Sequence, residues 1–154
     1  MIDTPKITQI PAQLTAFVHL TVSREEVRKV MGPGLSEVKA AIAAQGVAAT
    51  GPWFTHHLRI DPGVFDFEIC VPVIAPIDPS GRVEPGQWPV TTVARTIFRG
   101  DYEGLGGAWG EFDRWIVRKG FAARPDLWEC YLVGPEASPD PSAWRTELNR
   151  PLVD

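Results

Sequence analysis

The sequence predicts an α+β fold in which a βαββ unit occurs twice, in residues 6–73 and 89–153, within one domain spanning 1–154. Three observations predict it. Runs of β-branched and aromatic residues alternate with helical spacings in the order strand, helix, strand, strand, and that order then repeats. Each long helical stretch ends in glycine, Gly46 or Gly120, and the strand after it opens with tryptophan, Trp53 or Trp128. Each closing strand places a glutamate four residues before a proline, Glu68 with Pro72 and Glu147 with Pro151. A half-unit of one helix and three strands cannot bury its apolar faces alone. The two should therefore pair about a pseudo-twofold axis into one antiparallel sheet, with both helices on one face and the other face open as a cleft.

Ile7 to Val22, rich in β-branched and aromatic residues, reads as the first strand, interrupted at Pro11. Ser23, followed by Glu25 and Glu26, is a candidate N-cap for a short helix from Arg24 to Met31 that stops before Gly32, Pro33 and Gly34. A longer helix follows, with Leu35, Val38 and Ile42 at helical spacing. Thr50 to Ile60 and Val64 to Val73 form a hairpin turned by Asp61, Pro62 and Gly63. Pro72, Pro76, Pro79 and Pro85 then predict an irregular connection to Trp88, with Arg82 and Val83 against a sheet edge. Pro89 to Gly100 is a strand. Tyr102 to Lys119 is a helix whose stripe of Leu105, Trp109, Phe112 and Ile116 faces the sheet, so that Trp109 and Trp115 belong to the core. Leu127 to Val133 and Trp144 to Val153 close the chain, separated by a loop through Pro135, Pro139 and Pro141.

A net charge of −4 with scattered Lys and Arg argues against nucleic acid, because phosphate recognition needs clustered cations. There is no apolar leader and no run of apolar residues long enough to span a bilayer, which predicts a cytoplasmic protein without membrane contact. Cys70 and Cys130 sit inside apolar strands and read as packing residues. His56 and His57 are consecutive in a strand and face opposite ways, which leaves only His19 as a third imidazole, so no metal site is expected. The glycines at 104 and 106 open a helix, yet Trp109 stands where a dinucleotide loop needs its third glycine. No cofactor is expected, and no serine or cysteine sits in a nucleophile elbow.

The stretch from Trp128 to Gly134 places one carboxylate inside an aromatic and aliphatic strand. Alternation puts Glu129 and Tyr131 on one face, about 7 Å apart, and Trp128, Cys130 and Leu132 on the other. An ionised Glu in such surroundings stays wet, is paired, or is reserved for a ligand, and equivalent strands meeting at an axis give a concave surface where ligands tend to sit. Glu129 and Tyr131 would line it. Aligning the halves on Trp53 and Trp128 sets Glu129 opposite Phe54 and Tyr131 opposite His56. Phe54 and His56, with Trp144 at the head of the last strand, complete the candidate ligand-binding set.

Arg99-Gly100-Asp101-Tyr102-Glu103-Gly104-Leu105, followed by Trp109, Trp115-Ile116, Glu129-x-Tyr131 and Arg145-x-Glu147 with Pro151, resembles the GyrI-like small-molecule-binding domains. These also occur as the effector-binding domains of AraC-type and MerR-type regulators. The resemblance covers essentially the whole chain. It implies a duplicated βαββ fold with an aromatic cleft whose central acid, here Glu129, receives cationic or polarised aromatic molecules for sequestration or sensing. Some stand-alone members hydrolyse cyclopropane-bearing alkylating toxins, and in that case Glu129 and Tyr131 would be the catalytic pair. A third reading is an interaction protein that blocks a target such as gyrase. A protein partner or a homodimer is compatible with each of these. No segment of the chain reads as a helix-turn-helix.

Overall fold

The computed structural model of the chain describes residues 2–61 and 63–153. Pro62, the centre of the expected hairpin turn, lies outside the described residues. In chain order the elements are β1 (Lys6–Ile10), β2 (Gln13–Ser23), α1 (Val27–Ala44), β3 (Phe54–Asp61), β4 (Val64–Val73), β5 (Glu84–Trp88), β6 (Thr91–Arg99), α2 (Leu105–Arg118), β7 (Leu127–Val133) and β8 (Arg145–Pro151). Short 3-10 turns at Tyr102–Gly104 and Pro141–Ala143 precede α2 and β8. The α+β class and the twofold recurrence of strand, helix, strand, strand are as the sequence predicts. Among the described residues, no helix is long and apolar enough to cross a membrane.

The chain forms two compact units. One is Pro11–Val90; the other joins the residues up to Ile10 to those from Thr91 onward. In the first, β2 pairs antiparallel with both β4 and β5, and β3 pairs with β4. In the second, β6 pairs antiparallel with β1 and β8, and β7 pairs with β8. Each unit is thus a four-stranded antiparallel arrangement of the same order, β5-β2-β4-β3 in one and β1-β6-β8-β7 in the other. The lead-in strands are exchanged: β1 precedes β2 in the chain yet pairs with β6, while β5 precedes β6 yet pairs with β2.

In the Pro11–Val90 unit, Ala16, Val18 and Leu20 of β2 and Phe67, Ile69 and Val71 of β4 bury their side chains against Val38, Ala41 and Ile42 of α1. Each fully buried aliphatic side chain contributes about 1.5 to 3 kcal/mol. Gly34 sets how closely the helix approaches, since a Cβ there would lie 2.6 Å from Ile69 Cδ1. The second unit repeats the arrangement with Ala94 and Phe98 of β6, Leu148 of β8, and Ala108, Phe112 and Ile116 of α2. Both helices end alike. Gly46 and Gly120 adopt φ of +68° and +82°, and the next amide reaches back to the carbonyl of Ile42 in one and Ile116 in the other.

Four local expectations are corrected. The first strand is two, β1 and β2, which belong to different units. Ser23 does not cap a helix. Its carbonyl closes a turn with the amide of Glu26, and a single helix then runs from Val27 to Ala44 through Pro33. Pro33 and Lys29, whose carbonyl loses its amide partner, are both exposed, so water can serve that carbonyl, while Gly34 beside them faces the core. The Pro-rich connection before Trp88 is not irregular throughout but contains β5, in which Pro85 is tolerated because the strand lies at the edge of its unit's described ladder. Val83 of the same connection is 1% exposed and packs into the core. Finally, Trp144 lies just before the last strand rather than in it.

Candidate functional site

The ladder register fixes which faces the candidate residues share. Glu129 and Tyr131 of β7 stand opposite Leu148 and Thr146 of β8, and Leu148 packs with α2. Directly paired residues point the same way, so Glu129 and Tyr131 lie on the face that α2 covers. The expectation that they line a face without helices is corrected by this register. Trp128 and Cys130 point to the other face, beside the Arg95, Glu147 and Asn149 network, in which Arg95 Nε donates to Asn149 Oδ1 at 2.7 Å. Cys70 and Cys130 are free and buried, as the sequence predicts. Burial first, then Glu147, push the Cys130 thiol up to about 12, so it is no nucleophile near neutral pH.

The segment between β6 and α2 presents Tyr102. Gly100 turns the chain with φ of +133° and its amide donates to the Trp144 carbonyl at 3.1 Å. Asp101 caps the following turn by accepting from the Glu103 amide at 3.1 Å. Gly104 lets that turn settle on Phe98, whose Cζ would be 2.6 Å from a Cβ at this position. Tyr102 then tilts over Trp144, with ring centroids 4.8 Å apart, and meets Tyr131 edge to face at 5.9 Å. Trp144 is held by its indole N–H, which donates to the Ser138 carbonyl at 2.9 Å.

Both oxygens of Glu129 are engaged within this aromatic group. The Trp109 indole N–H donates to Oε2 at 2.7 Å and the Tyr131 hydroxyl donates to Oε1 at 2.9 Å. Glu129 is half-buried, and among the described residues it has no cationic partner. It differs in this from two other half-buried acids of the strands: Glu147 is paired with Arg95 and Asp66 with Arg59. The Thr146 hydroxyl, opposite Tyr131, is buried and takes no hydrogen bond among the described residues. Burial chiefly, then the charges of Glu136, Glu129 and Asp101, push the Tyr102 phenol up to about 12. The group is therefore aromatic, largely half-buried and negative.

Of the predicted residues, Glu129, Tyr131 and Trp144 come together. Phe54 and His56 belong to the other unit and lie on its face away from α1. His56 there pairs with Glu68 at 3.0 Å, and the Trp88 ring packs on Phe54 at 5.3 Å and on His56 at 4.7 Å. The alignment that selected them is one residue out of register. β7 carries its bulge between Tyr131 and Val133, and β3 carries its own between His57 and Arg59. This equates Glu129 with Thr55 and Tyr131 with His57. These two also face their helix, and Thr55 Oγ1 lies 3.1 Å from His57 Nε2. The closing strands keep the expected match, Glu68 with Glu147 and Pro72 with Pro151.

Two members of the group escaped the sequence reading. Helical spacing places Trp109 wholly in the core; it does pack there, but at the border of the buried stripe of Ala108, Phe112 and Ile116, with its N–H turned to Glu129. The usable signal is that a largely buried tryptophan needs an acceptor for that N–H. Tyr102 lies in the motif but carried no role. Consecutive His56 and His57 do face opposite ways, and among the described residues no three metal-ligating groups cluster.

The geometry can be set beside known proteins. The chain is similar in structure to the EcmrR C-terminal domain, with a TM-score of 0.87, 22% identity and 98% of each chain covered. It is similar to EcmrR in its complex with DNA, with a TM-score of 0.86 and 20% identity; 97% of this chain is covered, and it spans 57% of the length of that one. The structure of SAV2435 bound to tetraphenylphosphonium matches with a TM-score of 0.65 at 10% identity, covering 98% of this chain and 94% of the other. No curated protein matches the sequence. Residues 3–152, which include both units, match the sequence model of the GyrI-like small molecule binding domain, and the chain belongs to that family.

Proposed function

We propose that the protein binds lipophilic aromatic cations, with Glu129 as counter-charge and Tyr102, Trp109, Tyr131 and Trp144 as the surrounding rings, for sequestration or sensing in the cytoplasm. One observation carries this reading: a half-buried carboxylate with both oxygens held by aromatic donors and no cation beside it among the described residues. A ligand cation supplies the missing charge, and ring faces add about 0.5 to 2 kcal/mol each. The SAV2435 structure with tetraphenylphosphonium is consistent with this ligand class in a protein of similar fold. Accepting on both oxygens suits a carboxylate used as a charge better than a general acid, which must carry a proton on one of them.

The test is calorimetric titration with tetraphenylphosphonium and with neutral triphenylphosphine oxide. Wild type should prefer the cation, and Glu129→Gln should remove that preference while retaining the neutral compound. Equal binding of both by wild type would overturn the counter-charge role. The hydrolase reading is tested on the same proteins by mass detection of a water adduct of a strained cyclopropane alkylator. Catalytic turnover by wild type that falls at least about 10²-fold in Glu129→Gln would replace binding by hydrolysis.

A further inference from the structure

We propose that Glu136 is a second anionic anchor, which gives the site a preference for elongated ligands carrying two cationic groups. This rests on the reading of Glu129 as a counter-charge and names the ligand class more narrowly. Glu136 follows β7 on a tight turn in which the amides of Ala137 and Ser138 both reach the Gly134 carbonyl, at 3.0 and 3.1 Å. The turn is tied down at its far end, where the Ser138 carbonyl accepts the Trp144 indole N–H. The Glu136 carboxylate lies over buried Gly134. A Cβ on that glycine would find Glu136 Oε2 at 2.9 Å, Oε1 at 3.1 Å and Tyr102 Oη at 3.0 Å. The missing side chain lets the carboxylate and the phenol face each other.

Glu136 is exposed and, among the described residues, has no cationic partner. After burial, Glu136, Glu129 and Asp101 all raise the Tyr102 phenol; Asp101 is engaged in capping the turn through the Glu103 amide, which leaves Glu129 and Glu136 as the two acids that flank the rings. They reach it by separate routes. Glu129 lies beyond Tyr131, whose ring meets Tyr102 on edge, while Glu136 stands at the hydroxyl end. The faces of Tyr102 and Trp144 belong to the same group. That is a pattern of acid, aromatic surface, acid. An apolar spacer over the rings with a cation at each end satisfies all three parts, and the second cation binds at the high effective concentration set by the first.

The experiment titrates wild type, Glu136→Gln and Glu129→Gln with decyltrimethylammonium and with bis(trimethylammonium) alkanes of propyl, hexyl and decyl spacers. In wild type at low salt, the best dication should bind about three- to tenfold tighter than the monocation, an advantage that shrinks as salt screens the exposed acid. Glu136→Gln should erase that advantage and leave monocation affinity within about twofold. The proposal is overturned if no dication exceeds the monocation, or if Glu136→Gln weakens both ligands alike. Monocation binding that depends on Glu129 but not Glu136, with no dication advantage, overturns this inference alone. A monocation that ignores Glu129 overturns the counter-charge reading and this inference with it.

Discussion

The two units share strand order, helix ending and bulge position, and differ in what they place at the same points. On the face covered by the helix, one unit has Glu129, Tyr131 and Trp109, where the other has Thr55, His57 and Leu35. The second set keeps a small hydrogen-bonded pair, Thr55 with His57, whose imidazole stacks on Phe67 at 5.4 Å, but it brings no carboxylate and no indole donor. Away from the helices the contrast reverses. There the Pro11–Val90 unit carries an aromatic group of Phe54, His56 and Trp88, and its counterpart carries the Arg95, Glu147 and Asn149 network. A duplicated scaffold supplies equivalent slots, and side-chain chemistry decides which half is charged and unpaired. Each unit is thus a control for the other, with the backbone held constant.

The largest expected effects test the shared scaffold. Ile42→Ala and Ile116→Ala remove equivalent, nearly fully buried side chains and should each cost about 2 to 5 kcal/mol in urea unfolding. A cost confined to one variant would break the equivalence of the helices. Next comes the charged position: Glu129→Gln should weaken tetraphenylphosphonium by about 1.5 to 3 kcal/mol. Thr55→Val, at the matching point, should leave the preference for cation over neutral compound unchanged. A comparable loss in both would mean that the charge is not what separates the units.

Smaller effects sharpen the contrast. Trp109→Phe keeps a ring but withdraws the N–H from Glu129, and should cost about 1 to 2 kcal/mol of stability. Leu35→Phe, its counterpart, has no such bond to lose. The smallest change is read by alkaline absorbance titration of the two tyrosines. Tyr102 should ionise near 12 against an ordinary value of 10. Because folding favours its neutral form, the associated stability is fully present below pH 10 and is lost as pH rises through 12. Glu136→Gln should move that midpoint downward, and an unmoved midpoint would separate Glu136 from the phenol.

What the sequence made legible follows from which signals are local. Glu129 stood out because a charge inside an aromatic strand needs a reason, and the helices stood out because Gly46 and Gly120 stop them. Pro85 and Gly86 hid β5, since breakers in a central strand are ordinary residues in an edge strand. Pro33 hid the continuity of α1 for a related reason: its lost hydrogen bond falls on the exposed side, and no local rule reports that. The one-residue error came from matching Trp53 with Trp128, which look alike but occupy successive register positions. The bulges and ladder pairs, which exist only in three dimensions, correct it. Trp109 read as core because helical spacing cannot show where an indole N–H points, and Glu136 read as nothing because acids are common in loops.

The exchange of lead-in strands has a consequence for how the chain can be cut. Only one of the two units is continuous in sequence: residues 11–90 hold all of β2 to β5, while residues 91–153 lack β1, which lies at the other end of the chain. A fragment of 11–90 therefore keeps every ladder of its unit, whereas a fragment of 91–153 exposes the edge of β6 from Thr91 to Arg95, where Lys6–Ile10 would pair. Joining the ends through a flexible linker and opening the chain between Ile10 and Pro11 gives a permuted order in which each unit runs without interruption. In the natural order the ladder between β1 and β6 closes over the whole of Pro11–Val90, and in the permuted one the same ladder closes over α2, β7, β8 and the linker. The order of the elements thus lets the Pro11–Val90 unit complete its ladders once Trp88 has emerged, whereas β1, made first, waits for β6 before it can pair.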